Sequence, residues 1–281
     1  MQISVVIPSY NRRHTLERAL QSVYQQSSKV DEVILVDDGS NDDSDLMVAR
    51  EFPETKIIRQ ANFGVSAARN RGIESARFEW IALLDSDDSW RPDKIGKIRN
   101  AQRQHPDLVL FHSDEIWMRN EVRVNPMNKH RKSGGWIFEQ CLPLCAISPS
   151  ASVIKKSVLQ DLGMFDETLP ACEDYDLWLR LCHRYPVHYL DQALIVKYGG
   201  HADQLSRQHA MMDQFRVRAL HRLLAADNLS VEQHAAAATM LLTKLDILIK
   251  GAVKHGNQQL IDEFMPLRDQ WFATIPAASS C

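Results

Sequence analysis

Long apolar runs are missing from this 281-residue chain. The longest, Ala235 to Leu242, is interrupted by Thr239 and followed by Lys244, Asp246 and Lys250, too short and too soon charged to span a bilayer. An excess of positive charge is missing too. Lys and Arg number 33 against 36 Asp and Glu, a net charge of -3, which argues against a nucleic-acid partner. No CxxC pair occurs. The 5 cysteines (Cys141, Cys145, Cys172, Cys182 and Cys281) are odd in number and read as reduced thiols of a cytoplasmic protein. The opening "MQISVVIPSY" has no basic stretch before its apolar run and no cleavage site, so it reads as a first strand and not as a signal peptide. Neither G-x-G-x-x-G nor G-x-x-x-x-G-K-[ST] is present, which excludes a dinucleotide fingerprint and a P-loop. There is no internal repeat and no low-complexity segment.

What is present alternates. "ISVVIP" is β-branched and apolar, as a buried strand is, and Leu16, Ala19, Leu20, Val23 and Tyr24 follow at helical spacing. "EVILVDDGS", "TKIIRQ", "WIALLD" and "DLVLFHSDEIWM" read as further strands, with "GVSAARNRGIESA" and "RPDKIGKIRNAQRQH" as helices among them. Strands alternating with helices imply an α/β protein with a mostly parallel sheet covered on both faces. From Lys132 the pattern loosens. "KSGGWIFEQCLPLCAISPS" predicts a loop with a short helix, "ASVIKK" a strand, "EDYDLWLRLCHRY" a helix, and "VHYLDQALIVKYG" one or two strands. Beyond about Gly200 strands cease, and "SVEQ" at Ser230 matches a capping box ahead of a long helical run. The chain therefore divides into 1–203, itself in halves 1–114 and 115–203, and a small helical appendage, 204–281.

The strand ends carry the chemistry. In an open α/β sheet, ligands bind at the carboxyl ends of the strands, where strand order reverses. The first strand ends in Pro8, Ser9, Tyr10 and Asn11, the second in Asp37 and Asp38, and the fourth in Asp85, Ser86, Asp87 and Asp88. Two acidic clusters at one sheet edge repel each other unless a cation or hydrogen-bond donors stand between them. With no P-loop to cradle phosphates, a metal must hold them, and hard Asp oxygens favour Mg²⁺ or Mn²⁺ shared with a diphosphate. Asp37 and Asp38 can accept from a base N–H or a ribose hydroxyl. Turn and cap chemistry is the competing explanation of both clusters.

Taken together, "VVIPSYNR", "VILVDDGSND", "ANFGVSAARNRGI" and "IALLDSDD", in that order and at those spacings, resemble the nucleotide-binding half of the family 2 glycosyltransferases. The likeness is dense from Ile3 to Asp88 and thinner through "EDYDLWLRL" to about Gly200. It implies the GT-A fold: a mixed sheet flanked by helices, Rossmann-like, binding a nucleotide-diphospho-sugar. By the resemblance, Asp85 and Asp87 form the D-x-D element that binds metal and ribose, with Asp88 beside them. Which of the three ligates the metal stays open. Asp38, with Asp37 next to it, matches the base contact. Pro8, Tyr10 and Asn11 match the first nucleotide loop. Arg69 and Asn70 match an A-R-N element whose arginine reaches base or phosphates. A solvated helix face is the plain alternative for Arg69, and the reading for Arg71.

"CEDYDLW" resembles the E-D motif that supplies the base of inverting members, making Asp174 the base and Glu173 its neighbour. Two adjacent acids raise at least one pKa, which suits proton acceptance, while a place in a helix's first turn stabilises the anion. Trp178 lies four residues on, and either floors an acceptor pocket or belongs to the core. In some relatives a late histidine returns to the metal, which makes His201 a candidate. The Q-x-x-R-W element of processive synthases is absent, which points to one sugar per encounter.

The resulting expectation is an inverting, metal-assisted transferase that moves one sugar from a nucleotide diphosphate, UDP before GDP, to an acceptor hydroxyl in bacterial surface glycan or glycoconjugate synthesis. The acceptor class (glycan, lipid-linked or small molecule) is not readable. The alternatives are a sugar nucleotidyltransferase and a nucleotide-sugar-binding protein without turnover. In the tail, Leu241, Leu242, Leu245, Leu248 and Ile249 line one stripe, with Lys244, Lys250 and Lys254 off it. That stripe is expected to bury against the rest of the chain, then, in order, against a second copy in a homodimer or at the inner face of a membrane as a peripheral contact.

Overall fold

The structure, a computed structural model, describes residues 1–120, 122–125, 127, 130–200, 211–226 and 228–274. Four parallel strands come first: β1 (Ile3–Ser9), β2 (Glu32–Asp37), β3 (Lys56–Arg59) and β4 (Trp80–Leu83), joined through α1 (Arg13–Tyr24), α2 (Ser44–Glu51) and α3 (Val65–Ser75). β5 (Ser89–Trp90), α4 (Lys94–Gln104), β6 (Leu110–Arg119), β7 (Val122–Val124) and α5 (Phe138–Cys141) follow. A 3₁₀ turn at Pro149–Ala151 leads to β8 (Val153–Lys155), α6 (Lys156–Asp161), α7 (Glu173–Cys182) and β9 (His188–Gly199). The tail supplies α8 (Asp213–Ala225), α9 (Val231–Lys254) and α10 (Gln258–Thr274).

The strands make one 9-stranded sheet in the order β3-β2-β1-β4-β8-β6-β9-β5, with β7 beside β6. The sheet is mixed, as the family resemblance implies, and not the mostly parallel one that alternation alone suggests, because β8 runs antiparallel to both β4 and β6, and β5 antiparallel to β9. Parallel pairing is continuous only as far as β4 and returns where β6 pairs with β9. Past β4, β8 turns directly from the 3₁₀ turn without a crossover helix.

Strand alternation sorts the core into two layers. Ile3, Val5 and Ile7 of β1 pack with Leu16 and Leu20 of α1 and Ile95 and Ile98 of α4. Val6, on the opposite face, packs with Ala68 and Ile73 of α3 and joins a larger apolar cluster that holds α7 and the tail helices. α3 lies close on the sheet: a Cβ at Gly72 would stand 2.3 Å from Val6 Cγ1, so any side chain there would lift the helix off β1.

The tail stripe is buried within the chain. Leu241, Leu245 and Leu248 share a cluster with Leu177 and Trp178 of α7, each burial contributing roughly 2 kcal/mol. The Ser230–Gln233 capping box closes the start of α9. Lys244, read as lying off the stripe, is itself buried: Nζ donates to Pro143 O at 2.8 Å and pairs with Asp213 at 3.2 Å. Among the described residues, no helix is long and apolar enough to cross a membrane.

Candidate active site

The crevice opens where β1 and β4 part. Leu84 N donates to Val6 O, and Asp38 N donates to Ser9 O, so along β1 the residues Val6 and Pro8 face β4 while Ser9 faces β2. β4 ends at Leu83, so Pro8, which has no N–H, falls where no ladder partner remains. Pro8 is buried and shapes this splay; Tyr10, 46% exposed, stands at its mouth. Asn11 adopts a left-handed φ of 51° and ties the loops after β1 and β2: its N–H donates to Ser40 Oγ, and its Oδ1 accepts from Asn41 N.

Asp37 and Asp38 end β2 as expected, but both are buried and spent on the turn. Asp37 is fully covered, pairs with Arg59 Nε at 3.2 Å and accepts from Ser40 N at 3.1 Å. Its carboxylate thus has no exposed surface, beside the 3% of Asp38. Asp38 accepts from Gln60 Nε2, Phe63 N and Gly64 N at 2.8, 3.0 and 2.8 Å, and so fixes the loop that starts α3. A carboxylate has about four acceptor positions, so Asp38 keeps one.

The second cluster behaves differently. The N–H of Asp85 donates to Ser150 Oγ, whose own proton goes to Asp88 Oδ2 at 2.6 Å, while Asp88 Oδ1 accepts from Tyr198 N. Burial pushes the Asp88 carboxyl well up, helped by Asp87 and Asp85 and opposed by Lys197. Burial also pushes Asp87 up, with Asp85 adding to it against Arg12 and Lys197. Asp85 goes the other way: burial raises it, but Arg69 and Lys197 outweigh that and hold it down. The acids therefore have separate situations: Asp88 is tied at both oxygens, Asp85 at one, and Asp87 by no side-chain hydrogen bond among the described residues.

Arg69 is 3% exposed, which overturns the solvated-face alternative. Nη2 donates to Asp85 Oδ1 at 2.7 Å and Nη1 to Glu173 Oε1 at 2.6 Å, with the guanidinium over the Phe165 ring. It joins the β4 acids to the first turn of α7, and both donor arms are used inside the protein. Asn70 completes the join, donating to Phe165 O and Glu167 Oε1 and accepting from Phe165 N. Arg71 is exposed, as read.

The chain enters α7 through Cys172, a non-glycine residue at φ 63°. Of the acids that follow, Glu173 is buried on Arg69, and burial with the Asp174 charge pushes it up against the pull of Arg69. Asp176 is buried on Arg180 and Arg222. Asp174 alone of the three is half-buried. Its Oδ1 accepts from Tyr175 N at 2.7 Å and its Oδ2 from Cys145 Sγ at 3.1 Å. Trp178 does not floor a pocket: it is 0% exposed, in the core with Leu177 and Leu181. Four residues from Asp174 do share its face, but that face turns inward within one turn. His201 lies outside the described residues.

Lys197 went unnoticed in the sequence. It is half-buried near the end of β9, donates to Ser148 Oγ at 3.0 Å, and has its charge held on by Asp88, Glu115, Asp85 and Asp174 against the cost of burial. A lysine following "ALIV" in a strand read as apolar was the available signal. Ser150 and Cys145 also went unnoticed. Nothing marks a serine or a cysteine in a loop as a partner for acids some 62 and 29 positions away.

The model of the family "Glycosyl transferase family 2" matches residues 4–163. An uncharacterized glycosyltransferase of Haemophilus influenzae is 30% identical over 193 residues, covering 64% of this chain and 61% of that protein. One of Nostoc sp. is 41% identical over 129 residues, covering 44% and 40%. A Rickettsia conorii relative is matched over only 32% of its length, so the chain spans less than two thirds of each of these proteins. The crystal structure of S. aureus TarS 1-349 in complex with UDP-GlcNAc superposes with a TM-score of 0.70 at 19% identity, covering 89% of this chain and 73% of that one, a likeness of fold.

Proposed function

This chain belongs to glycosyl transferase family 2, and on that premise we propose that it moves one sugar from a UDP-sugar to an acceptor hydroxyl with inversion. The observation that carries the reading is the Asp85–Arg69–Glu173 bridge, which sets the open carboxylate of Asp174 beside the acids at the end of β4. The TarS neighbour was captured with UDP-GlcNAc, which supports UDP as the carrier here. The relatives are bacterial, which fits surface glycan or glycoconjugate synthesis from the cytoplasmic side.

Asp87 and the second oxygen of Asp85 would hold a divalent cation, Mn²⁺ or Mg²⁺. Their mutual repulsion fits that role, and such ions take few carboxylates when a substrate supplies phosphate oxygens. When bound, the cation neutralises charge building on the departing diphosphate. Lys197, on the same side, adds a fixed positive charge. Asp38 and Tyr10 remain for the nucleoside, Asp38 with one acceptor position and Tyr10 with an exposed ring face.

In the reaction, the acceptor oxygen attacks the anomeric carbon on the face opposite the diphosphate. The carbon–oxygen bond to the phosphate breaks, and the electron pair leaves with the diphosphate. Asp174 Oδ2 takes the hydroxyl proton; the thiol of Cys145 uses one of its acceptor positions, which leaves another for the acceptor. A single displacement inverts the centre. Arg69 and Glu173 act as positioning residues.

The test is Asp174→Asn. UDP affinity stays at the wild-type value and kcat falls by about 10² or more, the usual cost of a lost general base. A variant with full turnover places the base elsewhere.

A further inference from the structure

Cys145 has two sides. Its thiol donates to Asp174, and the residue also lines a cavity of about 640 Å³ whose walls include His130, Arg131, Lys132, Gln140 and Tyr189. That volume is in the range of small-ligand sites. The polar groups around it are unevenly committed. Lys132 is fixed, pairing with Glu115 at 3.2 Å and donating to Ala146 O, so its charge is balanced inside the protein. Arg131, the next residue, is exposed and has no ion-pair partner among the described residues. The surrounding sequence is basic where the chain as a whole is acidic: positions 119–132 carry five Lys or Arg and one Glu, against a net charge of -3 overall.

A base that takes a proton from an acceptor must be reached by that acceptor, and the cavity stops one side chain from Asp174. We propose that this cavity receives the acceptor, and that the acceptor carries an anionic group, phosphate or carboxylate, bound by Arg131. The inference rests on the glycosyltransferase reading for its purpose, but not for its test. Guanidinium binds either anion through paired N–H groups, so the shared chemistry is a planar or tetrahedral oxyanion on a sugar.

The experiment uses the full chain with UDP and Mn²⁺ present to fill the donor site. Glucose 6-phosphate, glucuronate and glucose are titrated separately by saturation-transfer NMR. At least one of the two anionic sugars binds, glucose does not, and added salt weakens the binding. The first two arms tell phosphate from carboxylate. Arg131→Gln lowers the affinity about tenfold or more, the loss of the charge-assisted pair of hydrogen bonds, and Arg131→Lys restores part of it. UDP affinity is the same in all three proteins. Equal binding in Arg131→Gln, binding of glucose as good as that of the anions, displacement of the sugar by excess UDP, or no binding of either anion overturns the proposal. If wild-type protein fails to bind UDP, it is the donor reading that falls, and the sugar titration still stands by itself.

Discussion

Two acidic clusters stand at the same edge of the sheet, and the fold treats them in different ways. At the end of β2, Asp37 has Arg59 as an ion-pair partner and Ser40 N as a donor, and Asp38 has Gln60 and the N–H groups of Phe63 and Gly64 as donors. At the end of β4, Asp85 adds to the burial that pushes up Asp87, Asp85 and Asp87 add to that of Asp88, and Asp87 has no side-chain hydrogen bond among the described residues. Asp85 is matched by Arg69 and Asp88 by Ser150 and Tyr198 N, but burial and the Asp85 charge both disfavour an ionised Asp87, so that position has no structural reason to be an acid.

The sharpest way to break the comparison is to remove one acid from each cluster. Asp87→Ala abolishes metal-dependent UDP binding, a loss well over tenfold, and leaves stability unchanged or raised, because the carboxylate it deletes is disfavoured by burial and by Asp85. Calorimetric titration of UDP with and without EDTA reads the first effect and chemical denaturation the second. Equal UDP affinity in EDTA for the wild-type protein sinks the metal reading.

Asp38→Ala has the reverse signature. It strands two backbone N–H groups and Gln60, and costs roughly 3 kcal/mol of stability. A denaturant midpoint equal to wild type would show that the loop before α3 is held by something else. Its effect on UDP affinity is the smaller one, combining the lost acceptor for the nucleoside with displacement of α3 and Arg69.

These contrasts also mark what was legible from the residues alone. Buried parallel strands read as continuous apolar runs, so β1, β2 and β4 were plain, and acids at their ends located the crevice. Short elements such as α2 and α6 escaped because one or two turns carry too little periodicity. Partnership escaped as well. Arg69 and Glu173 are 104 positions apart, and Lys244 reaches Pro143 across 101, so no local pattern says that these charges are buried and matched. Trp178 illustrates the same limit: spacing put it on the face of Asp174, but only packing decides whether a face is wet. The raised neighbour in the E-D pair turned out to be Glu173, for the reason that it is the buried one.

Buried cations differ in the same way, with the smallest expected effect. Lys94 is fully buried under the site, where Nζ donates to Ala151 O at 2.9 Å and lies 5.0 Å from the Trp90 ring. Unlike Lys132 or Lys244 it has no carboxylate within salt-bridge distance among the described residues, and burial pulls its pKa down to about 7 from 10.5. Below pH 7 both the folded and unfolded chain carry the proton, and the folded state bears the full cost of a buried ammonium. Between about 7 and 10.5 the unfolded chain keeps the proton while the folded one releases it, so stability rises with pH across that window. Lys94→Met deletes the titrating group and should flatten the rise, giving a Tm above wild type near pH 7 and a gap that closes toward pH 10. The comparison is made between the two proteins at each pH, because cysteines that titrate in the same window then cancel. Wild-type and variant curves that run parallel from pH 7 to 10 would mean that Lys94 stays protonated, and that an ammonium with one carbonyl partner is as well kept in this fold as one with a carboxylate.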